Sequence, residues 1–229
     1  MIIDIIDLGA VDYEQAYKFQ RQRCDLCKKD AVPDTLILCQ HPPVFTIGRA
    51  GSENNINVDE QTYNDKGVTV YHIDRGGDIT YHGPGQLIAY PIFNLKNYGR
   101  DIHLFLRNLE QVVIDFLAGF GIQGRREEGR TGVWVKEAKI SSIGVGVSSW
   151  VSYHGLAFNI DCEDEYFSMI NPCGFKDIKM TSLLKELSVK KDNLPLAHIE
   201  KLDIDDLKKI LVRCFEQVFN VTPCPEKVG

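Results

Sequence analysis

The order in which strand-forming and helix-forming segments follow one another constrains this fold more than any other feature of the chain. Residues 2–9 read as a strand, isoleucines with aspartates between them. A helix follows, opened by Asp12 with Gln15 three residues on, the pattern of a capping box. Tyr13, Ala16, Tyr17, Cys24 and Cys27 fall on or near one face of it. Strands are expected at 35–39, at 44–47 after the break made by His41-Pro42-Pro43, and at 68–73, 78–82 and 87–93. Asp101 opens a second helix, in which Phe105, Leu109, Val112, Val113, Phe116, Leu117 and Phe120 recur at helical spacing until Gly121 stops it. Further strands are expected at 131–135, 139–147 and 149–160. A last helix begins near Asp203, with Ile204, Leu207, Leu211, Cys214, Phe215 and Val218 as its buried stripe. Strands therefore come in runs, with helices at the start, middle and end. That order argues against regular βαβ alternation and predicts an α+β fold, a mixed and largely antiparallel sheet flanked by helices.

Residues 1–229 read as a single domain, because no repeat, low-complexity tract or linker interrupts them. A chain of this length buries a sizeable core without metals or disulfides. Residues 50–66 are polar and read as a long loop, of the kind that serves as a lid or binding loop. A formal charge of -6 gives no general attraction to nucleic acid or to an anionic membrane. The first residues lack a basic region, aspartates interrupt their apolar run, and no stretch is long and apolar enough to cross a bilayer, so a cytoplasmic protein is expected. Seven cysteines are scattered along the chain and read as reduced thiols. Cys24 and Cys27 form one isolated CxxC inside a helix, which favours core packing over a zinc site.

Chemistry concentrates in four segments. Residues 75–86 set Arg75, Thr80, Tyr81, His82 and Gln86 among glycines that let a backbone approach a ligand closely. A hairpin with a glycine-rich turn accounts for the same composition, and the spacing is that of neither common phosphate-binding loop. Lys139 opens a run of apolar and small residues, either as a solvated strand end or as an amine turned into a pocket. His154 lies on an expected strand, where a satisfied structural role competes with contact to a substrate. Cys173 stands between Pro172 and Gly174, in a turn rather than a packed stripe.

Taken together, these segments resemble the lipoyl(octanoyl) transferase family, relatives of the biotin and lipoate protein ligases. The resemblance covers residues 41–183 and is carried by 41–49, 75–86, Lys139-Ile140 with Ile143-Gly144, Tyr153-His154-Gly155, and Pro172-Cys173-Gly174. It implies a biotin/lipoate-ligase-like fold and transfer of an octanoyl group from octanoyl-acyl carrier protein to a lysine of lipoyl domains. Those domains belong to 2-oxoacid dehydrogenase E2 subunits and to the glycine cleavage H protein. It implies Cys173 as the residue that carries the acyl group as a thioester, and Lys139 as the residue that lowers its pKa. Substrate walls are implied at Arg75, Gly76, Gly77, Asp78, Ile79, Thr80, Tyr81 and His82, at Ser142, Ile143 and Gly144, and at Gly155, Leu156 and Ala157. His154 is a possible shaper of the site.

No metal or other cofactor is required by this chemistry. A covalent intermediate divides the reaction into two steps, and backbone N–H groups near Gly76-Gly77 or Gly174 are candidates to steady the oxyanion. A basic patch near Arg49 and Arg75 is expected to receive an acidic carrier protein. An ATP-using ligase, a cysteine thioesterase and a non-catalytic acyl-binding module are the alternatives. They differ in release of pyrophosphate, in release of free octanoate, and in indifference to loss of Cys173.

Overall fold

The computed structural model describes residues 1–171, 178–189 and 203–225. In chain order the elements are β1 (Ile2–Ala10), α1 (Tyr13–Cys27), β2 (Asp34–Gln40), β3 (Val44–Ile47), α2 (Glu60–Asp65), β4 (Thr69–His72), β5 (Ile79–His82) and β6 (Gln86–Ile92). Then come α3 (Ile102–Gly119), β7 (Arg125–Glu127), β8 (Arg130–Val135), β9 (Ala138–Ser148), β10 (Val151–Asn159) and α4 (Asp164–Ser168). The chain closes with β11 (Lys179–Met180), α5 (Leu183–Val189), α6 (Ile204–Phe219) and β12 (Thr222–Pro223).

Nine strands form one mixed sheet in the order β12-β1-β2-β6-β10-β9-β8-β7, with β11 beside β9. The pairs β1–β2, β1–β12 and β9–β11 are parallel, and the remaining pairs are antiparallel. Helices α3 and α6 cover one face over a core that includes Phe93, Phe105, Phe116, Phe158, Phe215 and Phe219. Helix α1 packs on the other face against β2, β6 and β10, where Cys24 and Cys27 are buried in a second core. Burial pushes the Cys27 thiol up to about 12, so this CxxC is packing.

Strands β4, β3 and β5 form a separate small sheet. Strands β4 and β5 lie on opposite sides of β3, so residues 73–78 cross over it and do not make a hairpin turn. Gly83-Pro84-Gly85 then carries the chain from the small sheet to β6 of the large one. Residues 50–66 are not a plain loop, because they hold a single helical turn at Glu53–Asn55 and then α2, capped by Asp59. No helix among the described residues is long and apolar enough to cross a membrane.

Candidate active site

Strands β5, β6, β9 and β10, the crossover at 75–78 and the first residues of α1 and α3 enclose a cavity of about 580 Å³. Lys139 reaches it because β9 is bulged. Val133 pairs with Ser141 and Trp134 with Lys139, so Ile140 is one residue too many for β8. Regular alternation from Ser142 would turn Ile140 toward the cavity and Lys139 away. The extra residue reverses this: Lys139 lines the cavity and Ile140 enters the core beneath α3 and α6.

Lys139 is 2% exposed, and its Nζ lies 4.9 Å from the centre of the Trp134 ring. Gly132 of β8 faces its stem. A Cβ at Gly132 would stand 2.6 Å from Lys139 Cε, and its φ of +138° is one that side chains rarely adopt. Gly132 is fixed from behind, since its N–H donates to buried Glu110 Oε1 at 3.1 Å. Arg107 and Arg126 donate to Glu110 Oε2 at 2.7 and 3.0 Å, so this buried carboxylate is paired.

The opposite wall is built on Arg75. Its guanidinium is buried and donates to the Thr46 carbonyl at 2.6 Å and to Thr46 Oγ1 at 3.0 Å. Gly76 docks its loop on β9 by donating to the Val145 carbonyl at 2.9 Å. A Cβ on Gly144 would stand 2.8 Å from the Gly76 carbonyl oxygen, which is why this approach needs glycine. The Gln86 amide donates to Asn159 Oδ1 at 2.9 Å, leaving Gln86 Oε1 to accept from His82 Nδ1 at 2.8 Å. His82 Nε2 is then the acceptor facing the Thr46 hydroxyl at 3.3 Å. Burial first, and the nearby His41 second, push His82 down to about 3, so the ring is neutral. Asn159 donates onward to the Thr181 carbonyl at 3.0 Å, and Thr181 N–H donates to the Lys139 carbonyl at 2.9 Å. One run of hydrogen bonds thus ties Arg75 to the backbone of Lys139.

Asp74 anchors the same loop from its other end. It accepts from His154 Nε2 at 3.0 Å, from the Tyr153 hydroxyl at 2.6 Å and from the Tyr17 hydroxyl at 3.1 Å. These bonds, His154's first, hold its carboxyl well below the usual carboxylate range. His154 has φ +56° in mid-strand, a strained conformation for a residue with a side chain. Its N–H donates to Gln20 Oε1 at 2.8 Å, and burial lowers its pKa against the pull of Asp74.

Of the residues implied as substrate walls, Arg75, Gly76, Gly77, Asp78, Ile79, Thr80, His82, Ser142, Ile143, Gly144, Gly155, Leu156 and Ala157 all line the cavity, as does His154. Tyr81 does not line it. Alternation along β5 turns Tyr81 to the far side of the small sheet, where it stacks on Tyr166 at 4.8 Å. Two further expectations change. Gly76 N–H is committed to Val145, so it is not available to an oxyanion, and Arg75 is too buried to belong to a surface patch. Gly174 lies outside the described residues.

Cys173 also lies outside the described residues, but the chain on either side of it is anchored. Asn171 N–H donates to the Asn55 carbonyl at 2.7 Å, and Met180 of β11 pairs with Lys139 itself. Sequence reasoning missed Tyr13, Ile88, Tyr90, Ile102 and Leu106, all of which line the cavity. For Ile102 and Leu106 the signal was their spacing of four, beside the deeper stripe of α3. Among the described residues, no cluster of His, Cys, Asp or Glu is arranged to hold a metal ion.

A mixed sheet with a small sheet beside it and a cavity bounded by both is the fold of the lipoate and biotin protein ligases. It matches a bi-partite lipoate protein ligase from Thermoplasma acidophilum with a TM-score of 0.69 at 15% identity, over 99% of this chain and 89% of that one. It matches the biotin protein ligase of Aquifex aeolicus with a TM-score of 0.52 at 16% identity, over 96% of this chain and 70% of that one. The family model described as the lipoyl protein ligase A/B catalytic domain matches residues 12–216, and the chain belongs to that family. It is 43% identical to an octanoyltransferase of Rubrobacter xylanophilus, over 89% of this chain and 90% of that protein.

Proposed function

We propose that this chain is a cytoplasmic acyltransferase that moves an octanoyl group from octanoyl-acyl carrier protein to a lysine of lipoyl domains, those of 2-oxoacid dehydrogenase E2 subunits and of the glycine cleavage H protein. The observation that carries the reading is the bulge in β9, which turns a lysine into an otherwise apolar and hydrogen-bonded cavity. Octanoyltransferases at 43% identity support the acyl group. They also favour a transferase over the ATP-using ligase, which has the fold and the shared family model on its side but no relative of comparable identity among those above.

In this reading Cys173 is the nucleophile and Lys139 its partner. Cys173 stands six residues before Lys179, which pairs with Ala138 beside Lys139. Six residues of chain reach at most about 20 Å, a length that lets Cys173 approach the amine. The lysine ammonium favours the thiolate by charge, raising the small fraction ionised near neutral pH. The thiolate attacks the carrier thioester, a carbon–sulfur bond forms at Cys173, and the carrier leaves as a thiolate that takes the proton of the Lys139 ammonium, leaving Lys139 as amine. The acceptor lysine, as free amine, then attacks the new thioester. An amide forms, the Cys173 thiolate leaves, and Lys139 as amine takes the proton lost by the acceptor. Because the two groups exchange a proton, they titrate as a pair.

Intact mass after incubation with octanoyl-acyl carrier protein tests the reading. A single octanoyl adduct is expected on the unsubstituted protein and none on Cys173→Ser. An adduct on that variant removes the thioester from the scheme, and release of free octanoate without a lipoyl domain would make the protein a thioesterase.

A further inference from the structure

The outer edge of β9 is interrupted beside the cavity. Strand β8 pairs with it only as far as Ser142, whose partner is Gly132. The next contact on that edge is the bond from Gly76 N–H to the Val145 carbonyl. Between these two points, among the described residues, no strand pairs with the edge beside Ile143 and Gly144, and this opening in the pairing adjoins a cavity that Gly129, Arg130 and Thr131 also line. The cavity is lined on one side of this opening by Lys139 and Ser142, and on the other by Ile102 and Leu106 of α3, the helix that covers the opposite face.

We infer that the octanoyl chain leaves the reacting centre through this opening and that Leu106 and Ile102 gauge its length. The inference rests on the acyl transfer proposed above. Two observations favour this direction over the rest of the cavity. The polar rings of the cavity, Tyr13, His82, Tyr90 and His154, come from α1, β5, β6 and β10, whereas α3 contributes isoleucine and leucine beside Arg130 and Thr131 of β8. The spacing also fits. Glu110 holds Gly132 against the Lys139 stem, and Leu106 and Ile102 precede Glu110 by one and two helical turns, about 6 and 12 Å along the axis. An octanoyl chain has seven carbon–carbon bonds of about 1.5 Å and spans roughly 9 Å when extended. With its carbonyl beside Lys139, its last carbon falls between the two side chains. Leu106 flanks the chain and Ile102, which is 37% exposed, stands at its end.

The test is a competition among C6, C8, C10 and C12 acyl-carrier thioesters for transfer to a lipoyl domain, read as ratios of kcat/KM so that an overall loss of activity does not matter. Ile102→Ala should raise the C10-to-C8 ratio about tenfold, and Leu106→Phe should raise the C6-to-C8 ratio by a similar factor. Ile102 is partly exposed, so its variant decides the matter should Leu106→Phe fail to fold. Ratios within twofold of the unsubstituted protein in variants that still transfer octanoyl would overturn the gauge and leave the proposed function standing. Failure of the unsubstituted protein to transfer any of these chains would sink the function, and the gauge with it.

Discussion

The two faces of the large sheet are buried by different means. Under α3 and α6 the contacts are apolar and aromatic, with Phe93, Phe105, Phe215 and Phe219 packed ring to ring. Under α1 and the small sheet, Gln20, His41, Thr46, Arg75, His82, Lys139 and His154 are all buried, and hydrogen bonds join most of them. Burial of hydrocarbon is nondirectional and closes whatever space it finds. Hydrogen bonds fix distance and direction, so they can hold walls apart around a space that must stay open. One face carries most of the stability and the other most of the geometry, with Glu110 behind Gly132 and the cavity-lining Ile102 and Leu106 the share that α3 takes in the site.

Substitution on each face tests that division, and the largest effect is expected at Lys139. Lys139→Met keeps the volume of the stem and removes the charge. Turnover should fall about 10²–10⁴-fold. Turnover within threefold of the unsubstituted protein would break the assignment of chemistry to this face. Phe215→Ala is the counterpart. It should cost about 3–5 kcal/mol of stability in urea titration and leave turnover per folded molecule unaltered. A loss of turnover larger than the loss of folded protein would mean that the apolar face also sets the geometry of the site.

The apolar face was also the more legible in the sequence. The stripes of α3 and α6 and the strand runs follow from periods of three to four and of two, which are local properties. The short elements α2, α4, α5, β7, β11 and β12 carry too few residues to show a period, and tertiary pairing defines them. On the polar face, alternation along β5 already separates Thr80 and His82 from Tyr81, and only the grouping of residues by resemblance put Tyr81 in the site. The aim of Lys139 was not legible, because a bulge is a property of the pairing between β8 and β9 and not of either segment alone. The role of Asp74 was hidden for a similar reason: its partners Tyr17, Tyr153 and His154 are 57 to 80 residues away in sequence.

Acid should reveal the same contrast on a smaller scale. His41, His82 and His154 are all pushed below the usual histidine value, His82 to about 3, with burial the leading cause in each. The unfolded chain takes up these protons near pH 6.5 and the folded chain does not, so stability present above that pH is lost as the pH falls through the window from about 6.5 toward 3. For His82 the slope is about 1.4 kcal/mol per pH unit. His82 is faced by Arg75, His41, His154 and Tyr13, and the unfolded chain protonates Asp74 only near pH 4, below the range measured, so it does not mask the effect. Urea midpoints from pH 7.5 to 4.5 should show His82→Gln with a slope shallower by one proton. An unchanged slope would mean that His82 is charged in the folded protein, with Nδ1 still donating to Gln86 and Nε2 now donating to Thr46.

The smallest effect expected is at Tyr17, and it separates positioning from packing. Tyr17→Phe removes one hydroxyl from Asp74 and keeps the ring that stacks on His154 at 5.4 Å. Asp74 retains His154 and Tyr153, so stability should fall by only about 1 kcal/mol. Asp74 precedes Arg75 and helps set where the Arg75–Gly77 loop stands on β9. If its bonds hold the cavity wall, that same 1 kcal/mol should appear as a roughly fivefold rise in KM for the acyl donor with kcat little changed. Loss of stability with no change in KM would make Tyr17 part of the packing of α1, and the polar face would then carry geometry only from Asp74 inward.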